Sequence, residues 1–469
     1  MVHIPARQKT LSRRASPLAP IALHALVALL ALLPWTSLAA CPTCGPVLPV
    51  ASGLEVHEWG TFTTLNSSSG AELQGLYVDA TRLPAFVHGL PYFNYDAAKG
   101  WASLDRLKNV TVKMETPVLY FYSAKEMDVD VKVRFQGGTI SQWYPACYDC
   151  EANPTAPSVD FAKEPYPGHI GWKAKVLAPT SNLPYTATAL GGETPEWTAP
   201  RQTKANQLRG EKGEIENFLF YRGLGNFPAT VALDFLPDGT FRVANKGAED
   251  IVHVMVYERP DGNLSQVATV WYSGPIKGGQ VLKIKRDNPL SGYRDAMAPM
   301  ESFHGAMVKA GLTTQEARAL LNTWYNGYFI EPGLKVFWIM PRAQVDKLLP
   351  LEIKPAPDKI ERVIVGRSEI LTPEFERKLR HAKKTDSLEI LYDKDKYYLA
   401  YLDFLRQDGF ASSLSSAFAP ARASWNRPGH GGWATPWFSK ATHPAIESGT
   451  EARFDISGRS LRPVYHSGR

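Results

Sequence analysis

The sequence lacks most of the motifs from which a protein's chemistry is usually recognised. It has no Gly-rich phosphate loop, no dinucleotide-binding fingerprint and no Gly-x-Ser-x-Gly nucleophile elbow. It also has no long basic run and no interleaving of aromatic and basic residues of the kind that single-stranded nucleic acids require. We therefore expect no nucleic-acid partner, and the sequence identifies neither a cofactor nor a ligand.

Apolar stretches long enough to cross a membrane are missing after the first 40 residues, which argues against a polytopic membrane protein. The apolar run Leu18–Leu33 follows four basic residues and precedes the small residues Ser37, Ala39 and Ala40. This order is typical of an export signal. We predict that residues 1–40 form a cleaved signal rather than a retained anchor.

The segment Leu38–Cys41 resembles the lipobox of bacterial lipoproteins, in which the cysteine becomes the lipid-bearing first residue. Ordinary cleavage near Ala39 or Ala40 is the alternative. Cys41 is therefore a candidate lipidation site, and membrane contact is expected only through the signal or a lipid anchor. The predicted location is the periplasm or cell envelope, including the outer membrane if Cys41 carries a lipid.

A large excess of charge of one sign is absent as well. The whole chain has 52 Lys and Arg against 46 Asp and Glu. Residues 1–40 hold four of the basic residues and no acidic one, so removing them leaves 48 basic residues against 46 acidic ones. A net charge this close to zero says little about partners.

Cysteine is scarce, with four residues in two Cys-x-x-Cys pairs, Cys41/Cys44 and Cys147/Cys150. Neither pair is followed by histidine, which excludes c-type haem attachment. Three interpretations stay open: disulfides in an oxidising compartment, a zinc site built from both pairs, or a redox dithiol. We favour disulfides, including Cys147–Cys150, because no βαβ pattern surrounds either pair.

Alternating and aromatic segments dominate the amino-terminal half. Leu54–Leu65 and Val110–Tyr122 read as strands, the second of them interrupted at Glu115–Pro117. Val129–Phe135 alternates strictly, and Gly137–Gly138 predicts a hairpin that returns as Thr139–Tyr144. Such half-buried alternation is typical of antiparallel sheets.

The middle of the chain continues this pattern after an irregular stretch. Residues 145–209 are rich in Pro, Thr, Ala and Gly, with little periodicity apart from Trp172–Leu177, and predict an insertion on the surface. Short strands then follow from Phe218 to Ile284, separated by Asp-Gly turns, as in a sandwich or barrel.

Helical signals begin near Met297. Thr313 and Glu316 form a capping-box pattern, and the apolar residues of 317–329 recur at steps of three and four. Leu334–Met340 reads as a central strand, Pro341–Leu349 as a short helix and Arg362–Arg367 as another strand. Further helical turns are predicted at Pro373–Arg380 and Tyr397–Leu405, and a strand at Leu388–Tyr392.

The sequence thus predicts an α+β protein, mostly antiparallel β, with a β-sandwich-like amino-terminal two-thirds followed by a smaller helix–strand–helix–strand region. The expected organisation is an export signal at 1–40, a linker at 41–53, a β-rich domain at 54–290 with its insertion at 145–209, an α+β region packed on it at 291–387, and a weakly structured segment at 388–469.

Several ordered motifs resemble those of an uncharacterised family of exported bacterial proteins. They are His57–Thr63 (HEWGTFT), Phe218–Gly223 (FLFYRG), Thr323–Trp324, Pro341–Leu351 with its Pro-Arg, Asp346 and Leu-Leu-Pro-Leu elements, and Arg362–Arg367. The resemblance spans about residues 54–373 and implies one extended exported unit. It implies no activity, cofactor or catalytic residue.

The best acid–base candidates are His57, Glu58 and Glu115, and the best metal candidates are His57, His88 and Glu115, with His169 as an addition. No His-x-x-x-His spacing supports a metal site, and His57 and Glu58 should point to opposite faces of one strand. A structural role for each residue is the alternative that we favour.

Three arginines, Arg222, Arg342 and Arg367, each follow an apolar strand-like run. If their guanidinium groups converge, they would bind a carboxylate or phosphate with two parallel hydrogen bonds each. The alternative, which we favour, is that they form internal ion pairs with Asp346, Glu331 or Glu369.

Two functional hypotheses follow. The first is a non-catalytic exported protein, a binding or envelope-associated module. The second is an exported hydrolase, metal-dependent in one form, that uses His57, Glu58 and Glu115 while arginines hold an anionic substrate.

Overall fold

The computed structural model describes residues 52–409 except 78–82, 90–106, 151–158, 164–166, 191–192, 261–267, 288, 294–296, 386 and 388–395. The predicted signal, Cys41, Cys44, the strand at Leu388–Tyr392 and the segment after 409 lie outside the described residues. All the described residues belong to one compact unit, residues 51–469. None of the described helices is both long enough and apolar enough to cross a membrane.

Strands account for 41% of the described residues and helices for 24%, and most strand pairs are antiparallel, so the predicted α+β, mostly-β class is confirmed. The strands β1 to β22 are Leu54–Asn66, His88–Gly89, Leu107–Lys108, Val112–Met114, Val118–Ser123, Met127–Gln136, Gly138–Tyr144, Asp149–Cys150, Val159–Asp160, Pro167–Val176, Leu208–Gly210, Ile215–Glu216, Leu219–Gly225, Val231–Phe235, Phe241–Asn245, Ile251–Arg259, Ala268–Ile276, Val281–Ile284, Ser291–Tyr293, Gly333–Ile339, Leu351–Lys354 and Lys359–Ile370.

The helices α1 to α7 are Thr186–Leu190, Pro195–Thr198, Met297–Lys309, Thr314–Tyr325, Arg342–Leu348, Pro373–Lys384 and Tyr398–Gln407. A 3₁₀ turn, Ala199–Arg201, follows α2, and a π-helical turn, Asn326–Ile330, extends α4.

The centre of the fold is the pair β1 and β22. These strands run parallel over twelve residue pairs, from Glu55 opposite Lys359 to Asn66 opposite Ile370. On one side β1 pairs with β5, which pairs with β13, and β13 pairs with β7. On the other side β22 pairs with β20, β20 with β16 and β16 with β17. Strands of the predicted carboxy-terminal region therefore complete the same sheet as the amino-terminal ones.

Both faces of this sheet are covered. One face packs on a second layer that contains β6, β10 and β21, and the core between the layers includes Val56 and Phe121 of the first layer and Val131 and Trp172 of the second. The opposite face packs under α3, α4 and the π-helical turn. A third core, which includes Leu405, lies around α6 and α7.

The elements predicted at 313–349 and 362–367 are confirmed, whereas β21 between them was not predicted. Thr313 accepts from the Glu316 amide and Glu316 accepts from the Thr313 amide, which completes the capping box of α4. β20 is buried on both faces, and α5 and β22 follow as predicted. The predicted helix at Tyr397–Leu405 is confirmed as α7.

The predicted hairpin at Gly137–Gly138 is wrong. β6 pairs with β10 and β21 in the second layer, whereas β7 pairs with β13 in the first. Gly137 has a φ of 85°, and a Cβ on Gly138 would lie 2.1 Å from the Phe135 ring. The glycines therefore form a corner between two layers.

The stretch at 145–209 is less irregular than predicted. It contains β10, which pairs with β6 over ten residues and buries Ile170, Trp172, Ala174 and Val176 in the core between the layers. Pro167, Gly168 and Gly171 mask this alternation in the sequence.

Candidate functional site

His57 and Glu58 are neighbours on β1, so their side chains point to opposite faces of the sheet. The face of His57 is covered by α4, and the face of Glu58 is buried against the second layer. The two residues therefore belong to different networks, and they do not form one acid–base pair.

His57 is held between two carboxylates. Its Nδ1 lies 2.9 Å from Glu316 Oε2, and its Nε2 lies 2.8 Å from Glu55 Oε1. An ionised carboxylate can only accept hydrogen bonds, so each ring nitrogen must donate a proton. Glu316 also accepts from the Tyr122 hydroxyl at 2.6 Å. The arrangement favours an imidazolium ion whose two N–H groups are both occupied.

The electrostatics of this group support the charged form. Burial alone would lower the pKa of His57, but the hydrogen bonds and charges of Glu316 and Glu55 outweigh burial and raise that pKa above 6.5. Burial would raise the pKa of Glu316, but His57, Tyr122 and the Thr313 amide lower it below 4.5. Both shifts favour the ion pair of an imidazolium and a carboxylate.

An open depression of about 440 Å³ lies beside this group. Its lining is Gly53, Leu54, Glu55, Tyr122, Ser123, Ala124, Asn206, Asp358 and Lys359. The Glu55 side chain is 40% exposed, and its Oε1 accepts from both His57 and Lys359. Glu55 Oε2 makes none of the hydrogen bonds among the described residues, so this oxygen can accept from a ligand.

Glu58 joins a second, fully buried network. Its Oε1 accepts from the Tyr221 hydroxyl at 2.5 Å and its Oε2 from Arg362 Nε at 2.6 Å. Arg362 also donates to Asp346, 2.8 Å away, and Asp346 pairs with the exposed Arg342. The network ties β1, β13, β22 and α5 together, and the Glu58 carboxylate does not reach solvent.

Glu115 belongs to a third group, on the helix-covered face. It pairs with Lys113 at 2.8 Å and accepts from the Thr63 hydroxyl at 2.6 Å. Its backbone oxygen accepts from Arg222 Nε at 2.6 Å. Burial would raise the pKa of Glu115, but Lys113, Arg367 and Lys396 lower it to about 2. Glu115 is therefore a fixed anion and not a proton acceptor at neutral pH.

Arg367 lies next to the Glu115 group. It forms an ion pair with Glu369, approaches Glu331 at 3.8 Å, and stacks its guanidinium 5.2 Å from the centre of the Tyr328 ring. Lys396 pairs with Glu331 at 2.6 Å, and the buried Lys335 donates to the Glu331 backbone oxygen. We call the following residues the inner charge cluster: Lys113, Glu115, Arg222, Glu331, Lys335, Arg367, Glu369 and Lys396.

The structure brings together only part of the predicted site. The favoured prediction of ion pairs is confirmed for two of the three arginines, since Arg342 pairs with Asp346 and Arg367 with Glu369 and Glu331. Arg222 and Arg367 both lie near Glu115, but Arg342 is on the surface, so the three guanidinium groups do not converge. The helix of Arg342, α5, covers the opposite face of the sheet, where it meets Arg362 through Asp346.

The metal candidates are also separated. His88 lies 3.7 Å from Glu214, stacked near Trp143, and His169 lies 3.3 Å from Asp149. In the part of the chain that the structure describes, no group of three or more His, Cys, Asp or Glu residues is placed to hold a metal ion. His57, His88 and Glu115 thus do not form one site.

Several residues of these networks were missed by sequence reasoning, although one signal was present. Residues two apart on a strand share a face. Glu55 with His57, Lys113 with Glu115, and Arg367 with Glu369 all have this spacing and all form ion pairs. The sequence predicts Glu316 only as part of the capping box, because its contact with His57, 259 residues away, depends on the tertiary structure.

Two further features are a disulfide and a small cavity. Cys147 and Cys150 form the predicted disulfide, with Cα atoms 5.7 Å apart. A second cavity, of about 20 Å³, is walled by aromatic residues and borders Arg222. A cavity of this volume holds a water-sized molecule and no more.

Comparison with known proteins does not assign the chain to a family. No family model matches the chain, and no curated protein matches it. Among solved structures, the chain is similar to a yeast delta-COP-I mu-homology domain complexed with a Dsl1 WxWxV peptide, at 7% identity over 69% of this chain and 98% of that chain, with a TM-score of 0.24. A second structure of the yeast delta-COP-I mu-homology domain gives 6% identity, 69% and 97% coverage and a TM-score of 0.23. Similarity at this level does not establish a shared fold.

Proposed function

We propose that the protein is an exported, non-catalytic binding or envelope-associated protein, and that a small ligand with an ammonium group binds in the depression beside Glu55. The observation that carries this proposal is the 440 Å³ depression with the half-exposed Glu55 carboxylate in its wall. Its volume lies within the range of about 300–1,000 Å³ that is typical of small-molecule sites.

The chemistry of the lining selects a cation. Glu55 and Asp358 provide two carboxylates against the single ammonium of Lys359. Lys359 already pairs with Glu55 and Glu361, and Asp358 accepts from the Ser52 and Gly53 amides. Glu55 Oε2 is then the group with spare capacity, and the Tyr122 ring beside it offers an aromatic surface for a cation.

The non-catalytic part of the proposal rests on the state of the predicted acid–base residues. His57 uses both ring nitrogens on carboxylates, so it has no lone pair with which to accept a proton. Glu58 and Glu115 are buried, and each forms an ion pair, Glu58 with Arg362 and Glu115 with Lys113. A general base must reach the proton that it removes, and none of these three groups reaches the depression with a free acceptor.

Binding is tested by calorimetry of the purified chain with primary amines and with matched alcohols. We expect the amines to bind, the alcohols not to bind, and Glu55→Gln to weaken amine binding at least about tenfold through loss of a charge-assisted hydrogen bond. Glu352→Gln is the matched control, because Glu352 is an exposed strand carboxylate paired with Arg134. Equal binding by parent and Glu55→Gln would refute the assigned site.

The hydrolase alternative is tested by metal analysis of the same material. Stoichiometric zinc, calcium or iron that is lost in His57→Ala would support a metal-dependent hydrolase and overturn the non-catalytic proposal. We expect the same metal content in the parent and in His57→Ala.

We also infer that Cys41 carries a lipid after export, on the evidence of the lipobox-like segment Leu38–Cys41. Mass spectrometry of the protein isolated from membranes is expected to show a diacylated or triacylated cysteine at its amino terminus. An unmodified amino terminus at or after Ala39 would contradict this inference.

A further inference from the structure

The inner charge cluster contains more positive than negative groups. Five members are cations and three are carboxylates. Most of them are removed from water, Arg367 and Lys335 completely. Because isolated buried charges are costly, an internal excess of cations calls for an additional negative partner.

Arg367 is a member of the cluster with two buried N–H groups left over. Its Nη2 pairs with Glu369 and lies 3.8 Å from Glu331. Its Nε and Nη1 have no hydrogen-bond partner among the described residues, although the side chain is fully buried. Buried donors of this kind are rare in native proteins and commonly indicate a bound water or ion.

Two buried hydroxyl groups near Arg367 also lack a well-formed hydrogen bond. Tyr328 lies against the guanidinium, and its Oη and the Thr61 Oγ1 are both buried, with no well-formed hydrogen bond to the described part of the chain. The Thr61 hydroxyl is the nearest partner of the phenol: burial raises the pKa of Tyr328, and the Arg367 charge and the Thr61 hydroxyl oppose that rise.

The π-helical turn places a glycine against Arg367. A Cβ on Gly327 would lie 3.3 Å from Arg367 Nη1, so the glycine keeps a side chain away from the unpartnered guanidinium edge. π-helical turns inside α-helices occur frequently at functional sites.

We propose that the inner charge cluster binds one monatomic anion, such as chloride, between Arg367, Tyr328 and Thr61. Two buried N–H groups of Arg367, with the hydroxyls beside them, lie in a region of excess positive charge and select an anion over a cation. Neither of the two cavities described above is lined by Arg367, and a Cβ on Gly327 would already lie 3.3 Å from Arg367 Nη1, so we assign the smallest class of anion. This site is separate from the depression beside Glu55.

Lys335 supports the assignment. Burial, Arg367 and Lys396 lower its pKa to about 8, despite the opposing carboxylates of Glu369 and Glu331. A bound anion would offset the excess positive charge and move this pKa back towards its ordinary value.

The first test measures thermal unfolding of the full chain while chloride replaces gluconate at constant ionic strength. A ligand that binds only the folded state raises the unfolding temperature as its concentration increases. We expect such a rise for the parent, and at least a halving of it in Tyr328→Phe and in Thr61→Val, which remove one hydroxyl each. Arg342→Gln, on the surface outside the cluster, should keep the full rise.

An unchanged chloride dependence in both hydroxyl variants, or none in the parent, would overturn the proposal. The direct test is a crystal of the full chain grown in bromide. An anomalous peak within about 3.5 Å of Arg367 Nη1 supports the site. A water molecule there without anomalous signal overturns it.

Discussion

At the scale of single residues, the structure shows that the most reactive-looking side chains are fully engaged with other parts of the protein. His57 joins β1 to the capping residue of α4, Glu58 joins β1 to Arg362, and Glu115 joins Lys113 to the inner charge cluster. We therefore expect substitution of any of these three residues to lower the stability of the protein.

The first prediction concerns His57 and pH. Its pKa is raised on folding, so its contribution to stability is fully present below about 6.5 and is lost as the pH rises through the higher folded value. The pKa of Glu316 is lowered, so its contribution is present above 4.5 and is lost as the pH falls through the folded value. His57→Gln should therefore reduce the free energy of unfolding more at about pH 5.5 than at about pH 9.

Urea unfolding of parent and variant across this range measures the difference. His381→Gln is the control, since His381 lies on the exposed face of α6. A His57→Gln difference that does not vary with pH would contradict the ionised pair.

The second prediction concerns the buried pair of Glu58 and Arg362. Arg362→Met leaves the Glu58 carboxylate buried without its cation, and we expect a loss of about 3–5 kcal/mol. The double variant Glu58→Leu with Arg362→Met should recover most of that loss, because removing both members of a buried pair is often nearly neutral. Chemical denaturation tests this, and additive losses in the double variant would show that the two residues do not act as a pair.

At the scale of elements, close packing of the central strands depends on a glycine. A Cβ on Gly366 of β22 would lie 2.0 Å from Trp338 Cε2 on the neighbouring β20. The glycine of the Arg362–Arg367 motif is therefore required for the tryptophan to lie flat across the strand.

The third prediction compares two glycines. Gly366→Ala should destabilise the protein by about 1–3 kcal/mol through overpacking. Gly305→Ala, within α3 and with no atom within 4 Å of the new Cβ, should stabilise it by about 0.5–1 kcal/mol through higher helix propensity. Thermal unfolding of the two variants in parallel gives opposite signs if the packing is as described, and equal shifts would contradict it.

Helices and strands could be predicted from the sequence where residues close together in the chain determine them. The capping box of Thr313 and Glu316 and the apolar run of β20 needed no distant partner. The corner at Gly137–Gly138 could not be predicted, because two alternating strands look the same whether they pair with each other or lie in different layers.

At the scale of the whole molecule, the decisive contacts span most of the chain. His57 and Glu316 are 259 residues apart, and β1 pairs with β22 about 300 residues later. Periodicity reports which face of a strand is buried but not which strand lies beside it. This is why the fold class was predicted whereas the inner charge cluster and the Glu55–His57–Glu316 contact were not.

The fourth prediction follows from that central pairing. A fragment of residues 52–290 lacks β20 and β22, so β1 and β16 would each lose a neighbouring strand. We expect this fragment to be unfolded by circular dichroism and two-dimensional NMR, whereas residues 52–409 fold. A native-like spectrum from residues 52–290 would mean that the amino-terminal part is an independent domain.

The central claim, that His57 is a doubly bonded cation and not a general base, is tested most directly by NMR of the histidine ring nitrogens. The His57 signals are assigned by their loss in His57→Gln. We predict that both ring nitrogens are protonated at neutral pH and that the ring titrates above 6.5. A His57 ring with one unprotonated nitrogen below pH 6.5 would contradict the account and restore His57 as a catalytic candidate.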